Sequence, residues 1–284
     1  MNYKKGDVID GRYQVEAMIG QGAHGAVYRV VDQMLGSHLA LKCLHADVAS
    51  EPGFKTRMMR EARAMGALSG TSAVSVMAFN KAADGGLYLV MELLSGRDFE
   101  TYLREIEAHG GRVSLTKLVE LLGPIADTLQ AAHEIKIIHR DLKPGNIMVL
   151  DTLGRGPVRL LDFGLAKDLK ADPLTMEGMV AGSPAYMAPE CWRGKPDMLD
   201  HRIDVYSFGT IVFRALAGKP PFDPKQPIDR LIFAVMRAPR PSLTALRPDL
   251  PGASDVWVQK ALAIDPKDRF QTIRDMWRAF RALV

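Results

Sequence analysis

Acidic, amide and basic side chains are grouped in one short segment at the middle of the chain, residues 139–146 with the sequence HRDLKPGN. Asp141 and Asn146 are five residues apart with a proline and a glycine between them, which predicts a rigid loop instead of one face of a helix. Asp141 can accept or orient a hydroxyl proton, and the amide oxygen of Asn146 can bind Mg²⁺. Lys143 can neutralise charge on a phosphoryl group during transfer. So specific an octet predicts phosphoryl-transfer chemistry and not an ordinary structural loop.

A further carboxylate stands at the end of a short apolar run. Asp162 follows Leu160 and Leu161 and precedes Phe163 and Gly164. Proteins usually hold Mg²⁺ with one or two carboxylates together with the phosphates of a substrate. We therefore expect Asp162 to supply the charged metal ligand and Asn146 the neutral one.

Glycines with the spacing G-x-G-x-x-G-x-V occupy residues 20–27. Glycine lets backbone amides approach phosphate oxygens closely, which a Cβ atom would obstruct. The same spacing occurs in dinucleotide-binding folds and in ordinary turns, but a dinucleotide fingerprint opens a helix and is followed about twenty positions later by an acidic residue. Here a β-branched run follows the glycines and Lys42 stands at that distance. This favours a phosphate-binding hairpin, with a purely structural hairpin as the alternative.

Lys42 ends the apolar strand-like run that begins at His38, and Glu61 follows nineteen residues later on a predicted helix. An ion pair between the two would aim the ammonium group at a phosphate. Taken singly, a lysine beside an apolar strand is an ordinary snorkelling residue and Glu61 an ordinary solvated helix residue.

Hydrophobic periodicity divides the chain into a β-rich first third and a helical remainder. Strands are predicted at about 13–15, 26–31, 38–42, 73–79, 87–91, 147–150 and 158–161. Helices are predicted at about 54–68, 115–133, 205–217, 227–236, 257–263 and 272–283. The expected fold is α+β with two lobes, an antiparallel sheet with one main helix followed by a mostly helical part, and a cleft between them.

The composition of the chain mainly excludes certain classes of protein. The 284 residues are 47% hydrophobic and 25% charged, and the net charge of +4 with a pI near 9.0 is too small and too scattered to predict nucleic-acid binding. The two cysteines, Cys43 and Cys191, exclude a disulfide framework. The N-terminus lacks the apolar run of a signal peptide, and no apolar stretch reaches the roughly 18 to 20 residues of a membrane span. We expect a cytoplasmic domain, which a segment outside this sequence could anchor to a membrane.

Taken together, these segments resemble the signature set of protein kinases, and are most similar to bacterial eukaryotic-like (Hanks-type) serine/threonine kinases. The resemblance runs from about Arg12 to Ala282 and includes GRY at 11–13 and DPKDRF at 265–270. It implies a single catalytic domain over residues 1–284. The N-terminal lobe would span about 12–93, the hinge about 92–96 and the C-terminal lobe about 97–284.

The resemblance also implies roles for individual residues in binding ATP and Mg²⁺, for which Mn²⁺ could substitute. The implied catalytic residues are Asp141, which would be the base, Lys143, Lys42 and Asn146. The implied metal ligands are Asn146 and Asp162. The implied ATP-binding residues are Ile19, Gly20, Gln21, Gly22, Gly25, Val27, Ala40, Lys42, Glu61, Met91, Glu92, Leu94, Asp98, Met148 and Asp162. Within that set, the glycine segment would cover the phosphates, Lys42 held by Glu61 would bind the α- and β-phosphates, and Met91 would be the gatekeeper. The carbonyl of Glu92 and the amide of Leu94 would contact adenine, Asp98 would reach the ribose, and Val27, Ala40 and Met148 would enclose the base.

Acceptor and regulation follow from the same resemblance. Residues 182–190 resemble the end of an activation segment, in which Glu190 would pair with Arg269, and Asp204 would brace the catalytic loop. Lys143 and Ser183 indicate serine or threonine as the acceptor. Arg140 precedes Asp141, and kinases with this arginine are often switched by a phosphate that pairs with it. Thr175 is the only hydroxyl residue between Gly164 and Gly182, so we hypothesise autophosphorylation there.

Three departures from the family pattern leave substrate docking and helix positioning open: His24 at the glycine tip, SGTS at 69–72, and the link 192–200. A pseudokinase is the first alternative, and it predicts the loss of Lys42, Asp141 or Asp162, none of which is missing. A small-molecule phosphotransferase, which would not need residues 182–190, is the second. The expected partners are ATP and protein substrates, without nucleic acid or membrane contact from this segment. Dimerisation for autophosphorylation in trans and the identity of the substrates stay open.

Overall fold

The computed structural model describes residues 3–22, 25–44, 59, 65–82, 85–152, 156–163, 183–194 and 199–284. The chain forms two compact units, Met1–Ser95 (unit 1) and Gly96–Val284 (unit 2). Each unit has its own sheet and its own buried core.

Unit 1 is built on a six-stranded antiparallel sheet. Its strands are β1 (Val8–Ile9), β2 (Tyr13–Gly22), β3 (Gly25–Asp32), β4 (His38–Leu44), β5 (Val76–Lys81) and β6 (Leu87–Glu92). Their order in the sheet is β1-β2-β3-β4-β6-β5, so the first four strands form the expected meander. The helix predicted over 54–68 falls mostly outside the described residues.

Alternating side chains of these strands form the core of unit 1. Tyr28 and Val30 of β3 are fully buried, as expected where successive residues of a strand point to opposite faces. The rings of Tyr13 and Tyr88 meet edge to face at 6.1 Å, and the Tyr88 hydroxyl donates to Asp10 Oδ2 at 2.5 Å. Burial and this carboxylate raise the pKa of Tyr88. The sheet therefore has one apolar face that fixes its register.

Unit 2 contains a small sheet and the helices. The strands are β7 (Gly96–Asp98), β8 (Ile147–Leu150) and β9 (Val158–Leu160), paired antiparallel in that order. The helices are α1 (Phe99–Ala108), α2 (Leu115–Glu134), α3 (Arg202–Ala217), α4 (Ile228–Arg237), α5 (Ala253–Ala261) and α6 (Ile273–Arg281). Side chains of Asp98, Ser114 and Thr272 accept backbone N–H groups in the first turns of α1, α2 and α6.

Helix α3 is the central element of unit 2. Every residue from Ile203 to Leu216 is buried, which is the expected pattern for a helix that other elements surround. An ion pair reinforces its packing on α1, because the buried guanidinium of Arg214 lies 2.6 Å from Glu107 and 2.9 Å from Glu100. The N-terminal turn of α3 carries Asp204, so this helix determines where that carboxylate stands.

Three helices and strands of the structure were not predicted, namely β1, β7 and α1. Strands of two or three residues are too short for periodicity to reveal, and α1 has only ten residues, of which Phe99 and Leu103 are buried. The helices predicted over 115–133, 205–217, 227–236, 257–263 and 272–283 are present with bounds shifted by up to four residues. In the described part of the chain, no helix has the length and apolar composition that crossing a membrane requires.

Candidate active site

The loop that carries Asp141 is held by its own side chains. Residues Pro144–Asn146 form one 3₁₀ turn, as the Pro-Gly sequence favours. Asn146 Nδ2 donates to the backbone carbonyl of Asp141 at 2.7 Å and to its Oδ2 at 3.2 Å. Lys143 Nζ lies 3.0 Å from the same Oδ2 atom. The predicted catalytic carboxylate, amide and ammonium are therefore neighbours within one rigid turn.

The backbone of this loop is anchored by Asp204. Its Oδ2 atom accepts the backbone N–H of His139 at 2.8 Å, and its Oδ1 atom accepts the backbone N–H of Arg140 at 3.0 Å. Oδ2 also lies 2.7 Å from Nε2 of His133, the last buried residue of α2. The expected bracing role of Asp204 is thus present in the geometry, and Arg140 adopts a left-handed backbone with φ of 65° beside it.

Asp204 remains a carboxylate in this setting. Burial alone would raise its pKa, but the hydrogen bonds and positive potential of His133, together with His139, hold the pKa of Asp204 below its ordinary value. A charged acceptor strengthens hydrogen bonds from backbone N–H groups. The two residues before Asp141 are therefore fixed by charge-assisted bonds.

His139 connects the loop to the segment that contains Asp162. Its Nε2 atom lies 2.9 Å from the carbonyl of Leu161, and its ring packs on Phe163 with centroids 4.8 Å apart. Burial lowers the pKa of His139. The imidazole is therefore neutral, donates from Nε2 to the carbonyl, and leaves Nδ1 without a partner among the described residues.

Asp162 directly follows Leu161, whose backbone contacts His139 and Asn146. The Leu161 N–H donates to the Asn146 carbonyl at 2.8 Å, which places the two predicted metal ligands at the same end of the paired strands β8 and β9. Asp162 has φ of 43°, a conformation uncommon for residues other than glycine. Because Asn146 uses Nδ2 for Asp141, its Oδ1 is the atom available to a cation. One charged and one neutral oxygen donor fit a Mg²⁺ ion that takes its remaining ligands from phosphate and water.

The predicted phosphate-binding residues of unit 1 are placed by strand register. Gly20 pairs with Val27 across β2 and β3, and Lys42 of β4 stands between Val27 of β3 and Leu89 of β6. The side chain of Lys42 is buried, whereas Ile19 is half exposed. Gln21 and Gly22 are exposed residues at the end of β2, paired with Ala26 and Gly25 across the hairpin.

Gly25 explains why a glycine is required in this hairpin. Its φ is 148°, and a Cβ atom built there would lie 1.8 Å from the carbonyl oxygen of Cys43 on the neighbouring strand. No side chain fits so close an approach of two backbones. The glycine spacing thus has at least one structural cause within the sheet.

The predicted hinge residues show how the end of unit 1 is fixed. Met91 pairs with Ala40, and the Glu92 carboxylate accepts the Ser75 N–H at 2.8 Å while the Glu92 N–H donates to the Ser75 carbonyl at 3.0 Å. Leu94 follows and is partly exposed. Two hydrogen bonds between Ser75 and Glu92, one to the Glu92 side chain and one from its main chain, therefore fix the backbone at the end of β6.

Asp98 and Met148 belong to unit 2 and stand opposite each other in β7 and β8. The Asp98 carboxylate caps α1, accepting the Thr101 N–H at 2.9 Å and the Thr101 hydroxyl at 2.7 Å. The helix cap is a structural role that the sequence interpretation did not assign to Asp98.

The segment after residue 182 is fixed by a buried ion pair. The two terminal nitrogens of the Arg269 guanidinium, Nη1 and Nη2, donate to the Glu190 carboxylate at 2.7 and 2.6 Å. The guanidinium also lies over the Tyr206 ring, 5.0 Å from its centroid. Ser207 of α3 donates to the carbonyl of Tyr186 at 2.7 Å. The expected pair between Glu190 and Arg269 is present and ties residues 183–194 to the helical core.

Some sequence interpretations fall on residues outside the described ranges. These are Glu61 as the partner of Lys42, Thr175 as a modification site, and the positions Ala23, His24, Gly164 and Gly182. Sequence reasoning also missed one residue, His133, which supports Asp204. The available signal was its place on the buried face of α2, six residues before His139.

Comparison with known proteins agrees with this geometry. The protein kinase domain family matches residues 13–278. The chain is 35% identical over 277 residues to the probable serine/threonine-protein kinase PknB of Corynebacterium glutamicum, covering 95% of this chain and 42% of that protein. It is 33% identical to the serine/threonine-protein kinase PknA of Mycobacterium tuberculosis, covering 96% and 61%.

A solved structure matches over the full length. The kinase domain of PknI from Mycobacterium tuberculosis superposes with a TM-score of 0.77 at 26% identity, covering 100% of both chains. The expected α+β fold is therefore confirmed. The chain spans only about two to three fifths of the length of the curated relatives named above.

Proposed function

Because the chain belongs to the protein kinase family, we propose that it transfers the γ-phosphate of ATP to serine or threonine hydroxyl groups of proteins. The observation that carries this proposal is the surroundings of Asp141, where Lys143 Nζ lies 3.0 Å from the carboxylate and Asn146 holds the loop through its amide. Phosphoryl transfer requires little covalent chemistry from the protein and depends on positioning and electrostatic stabilisation. A rigid loop with these three groups can supply both.

In the proposed reaction, Asp141 accepts or orients the proton of the attacking hydroxyl. Lys143 balances negative charge that develops on the transferred group. Asn146 and Asp162 hold the divalent cation that kinases of this family use, which we propose to be Mg²⁺ with Mn²⁺ as a substitute. When bound, this ion neutralises charge on the phosphates of ATP.

ATP binding is proposed for residues of both units. Gln21 and Gly22, which are exposed at the end of β2, would lie against the phosphates, and Lys42 with Glu61 would bind the α- and β-phosphates. The end of β6, at Glu92 and Leu94, would contact adenine through its backbone. The remaining residues proposed to contact ATP are Ile19, Gly20, Gly25, Val27, Ala40, Met91, Asp98, Met148 and Asp162.

The proposed acceptor is a hydroxyl of serine or threonine. Two observations support this preference, namely Lys143 beside Asp141 and Ser183 at the start of the segment that Glu190 and Arg269 fix. The names of the relatives PknB and PknA give the same acceptor for those proteins. The whole chain would act as one catalytic domain with lobes at about 12–93 and 97–284 and a hinge at about 92–96.

Regulation is proposed to act through Arg140. Its Nε atom is shielded from solvent and has no hydrogen-bond partner among the described residues. An arginine so placed, directly before Asp141, can pair with a phosphate group. We therefore propose that Thr175 is autophosphorylated and that its phosphate pairs with Arg140. Mass spectrometry of the enzyme after incubation with ATP should find phosphate on Thr175, and a wholly unmodified Thr175 in active enzyme would contradict this.

The function is tested by transfer of labelled phosphate from ATP. The chain is incubated with γ-labelled ATP, Mg²⁺ and a generic basic protein, and the label is then followed by phosphoamino-acid analysis. We expect label on serine and threonine of the added protein and of the chain itself. A chain that binds ATP without transfer is a pseudokinase, and a chain that labels only small molecules is a small-molecule phosphotransferase. Either result would overturn the proposal.

A further inference from the structure

Unit 2 has a surface groove that none of the proposed catalytic or ATP-binding residues line. It lies between α2 and α6 and has a volume of about 560 Å³, which is within the range of cavities that bind small ligands and single side chains of peptides. Ala126, Ala131 and Trp277 contribute apolar surface. The rest of its lining is mostly charged, so the groove combines an apolar floor with ionic edges.

Three of the polar residues that line the groove form a network of paired groups. The guanidinium of Arg274 on α6 donates to the Glu134 carboxylate at 2.7 Å, and the backbone N–H of Arg274 donates to Gln130 Oε1 at 3.1 Å. Gln130 Nε2 in turn donates to Glu134 at 3.1 Å. The polar groups of these three residues are therefore hydrogen-bonded to one another and join the two helices. We call the part of the groove beyond them, toward Arg281, its open end.

Charges at the open end are not matched within the described part of the chain. Arg281 and Asp127 have no ion pair there, although both line the groove, and the nearest carboxylate to Arg278 is Asp275 at 3.6 Å without a hydrogen bond. Asp275 already accepts the Thr272 hydroxyl at the start of α6. Asp275 does not line the groove, so the lining at this end has two arginines, Arg278 and Arg281, and one carboxylate, Asp127, which is a net charge of +1 beside the apolar surface.

Interaction with the helix dipole explains part of this pattern. Arginines in the last turn of a helix are stabilised by the negative end of its dipole, and such residues are usually solvated. The dipole does not explain why Arg274, Arg278 and Arg281 share one face and border a groove. Residues three or four apart are neighbours on a helix, so Arg278 and Arg281 can bind two acidic groups that lie close together.

We propose that this groove binds an acidic peptide segment of a protein partner. An apolar side chain of the peptide would lie on Ala131 and Trp277, and carboxylates next to it in sequence would pair with Arg278 and Arg281. The pairing is favourable because a guanidinium group binds a carboxylate through two parallel hydrogen bonds. Binding needs neither ATP nor phosphoryl transfer, so it stands apart from the proposed catalytic function.

The experiment measures fluorescence anisotropy of a labelled peptide that contains Glu-Glu-Leu-Glu-Glu between Gly-Ser flanks, with the 284-residue chain and without ATP. Peptides with Gln-Gln-Leu-Gln-Gln or Glu-Glu-Gly-Glu-Glu are the ligand controls. We expect saturable binding of the first peptide, and dissociation constants at least about tenfold higher for each control, because charge and apolar contact both contribute. Comparable binding of all three peptides, or none of the first, would overturn the proposal.

Variants separate this groove from general attraction between charges. Arg278→Glu with Arg281→Glu should weaken peptide binding by at least about tenfold, because two attractive contacts become repulsive. Arg230→Glu with Arg237→Glu makes the same charge change on exposed positions of α4 and should have little effect. Ala131→Phe fills the floor without changing charge and should also weaken binding. Equal weakening by both charge variants, with no effect of Ala131→Phe, would contradict a site in the groove.

Anionic lipid is the other ligand that such a surface could attract. Sedimentation with phosphatidylserine vesicles is therefore run in parallel. Binding to these vesicles that Arg278→Glu with Arg281→Glu abolishes, together with no binding of the acidic peptide, would replace the peptide by a membrane surface and overturn the proposal. Thermal unfolding of each variant, with an unchanged midpoint, verifies that the fold is retained.

Discussion

The two units hold their proposed functional residues in different ways. In unit 2, Asp141 stands in a loop that Asp204 and His139 fix through hydrogen bonds between residues far apart in sequence. In unit 1, Lys42 is placed by its position in β4 between two neighbouring strands, and Gln21 is an exposed residue near the end of β2. Side chains that take part in a reaction must keep a precise geometry, which buried hydrogen bonds provide. Binding phosphate through backbone amides needs only the correct strand register and the absence of obstructing side chains.

This difference predicts that substitutions in the two units change different quantities. Loss of a buried bond in unit 2 should reduce turnover and stability together, because the same contacts serve both. Changes in the β2–β3 region of unit 1 should act on ATP affinity and on packing of the sheet. The predictions below test this contrast from the largest expected effect to the smallest.

Asp162→Asn should have the largest effect on turnover. The substitution removes the charged ligand of the proposed cation, and phosphoryl transfer should fall by about 10³-fold or more, since electrostatic stabilisation is the main contribution in such reactions. Labelled phosphate transfer at saturating ATP measures this effect. Asp229→Asn, an exposed carboxylate of α4, is the matched control and should retain activity. A turnover in Asp162→Asn equal to that of the control would show that Asp162 has no role in transfer.

Asp204→Asn should destabilise unit 2 and impair turnover. The amide that replaces one oxygen faces N–H donors, so buried groups at His139, Arg140 or His133 lose their acceptor. Breaking a buried charged network costs about 3–5 kcal/mol, and we expect a loss of that order in the free energy of unfolding measured by urea. The rate of phosphate transfer in a single turnover, measured without urea, should also fall. If stability falls while turnover of the remaining folded protein is unchanged, Asp204 is structural only and the contrast between the units weakens.

Gly25→Ala should disturb unit 1. The added Cβ would overlap the Cys43 carbonyl, so β3 must move away from β4, at a cost of about 1–3 kcal/mol as for other overpacked positions. ATP affinity should fall with it, because Lys42 and Gly20 depend on the same register. Gly36→Ala is the control, since its Cβ would meet nothing within 4 Å although its φ is also positive. Equal effects of the two substitutions would show that backbone strain, and not contact between strands, determines the result.

The smallest predicted effect is on the pH dependence of stability. Because the pKa of His139 is lowered by burial, the unfolded chain binds a proton more readily than the folded chain. The stabilising contribution is therefore complete above about pH 6.5, the ordinary pKa of histidine, and declines as pH falls below it by at most about 1.4 kcal/mol per pH unit. Unfolding by urea between pH 7 and 5 measures the slope.

His139→Phe is the matched variant for that measurement, because it retains a ring against Phe163 and removes the titrating group. Its slope between pH 7 and 5 should be smaller than that of the wild-type chain. The lowered pKa of Asp204 predicts a separate loss of stability, since its contribution is present above about pH 4 and disappears as pH falls further. Identical slopes for wild type and His139→Phe would exclude a neutral, buried His139.

Local sequence patterns predicted which candidate site residues lie close together better than they predicted the contacts that support those residues. The segment 139–146 has its functional groups within one turn, so the neighbourhood of Asp141, Lys143 and Asn146 follows from spacing alone. The support by His133 depends on a contact across 71 residues between α2 and α3, and its place on the buried face of α2 indicates burial without naming that partner. The expected bracing by Asp204 came from resemblance to kinases and not from spacing.

Elements were predicted where burial imposes a strong period. Helix α2 has Leu118, Leu122 and Leu129 on one buried face and was predicted within one residue. Helix α1, which was missed, has ten residues, half the length of α2, and only two of them are buried. The groove between α2 and α6 was also not predicted, since it depends on how two distant helices pack.

The most direct test of the contrast between the units combines ATP affinity and phosphate transfer in Asp141→Asn. If unit 2 performs the chemistry through Asp141, turnover should fall by about 10²- to 10⁴-fold, the usual contribution of a general base. The dissociation constant of ATP, measured by calorimetry, should stay near that of the wild-type chain because the phosphate-binding residues are unchanged. Near-normal transfer of labelled phosphate by this variant would contradict the account.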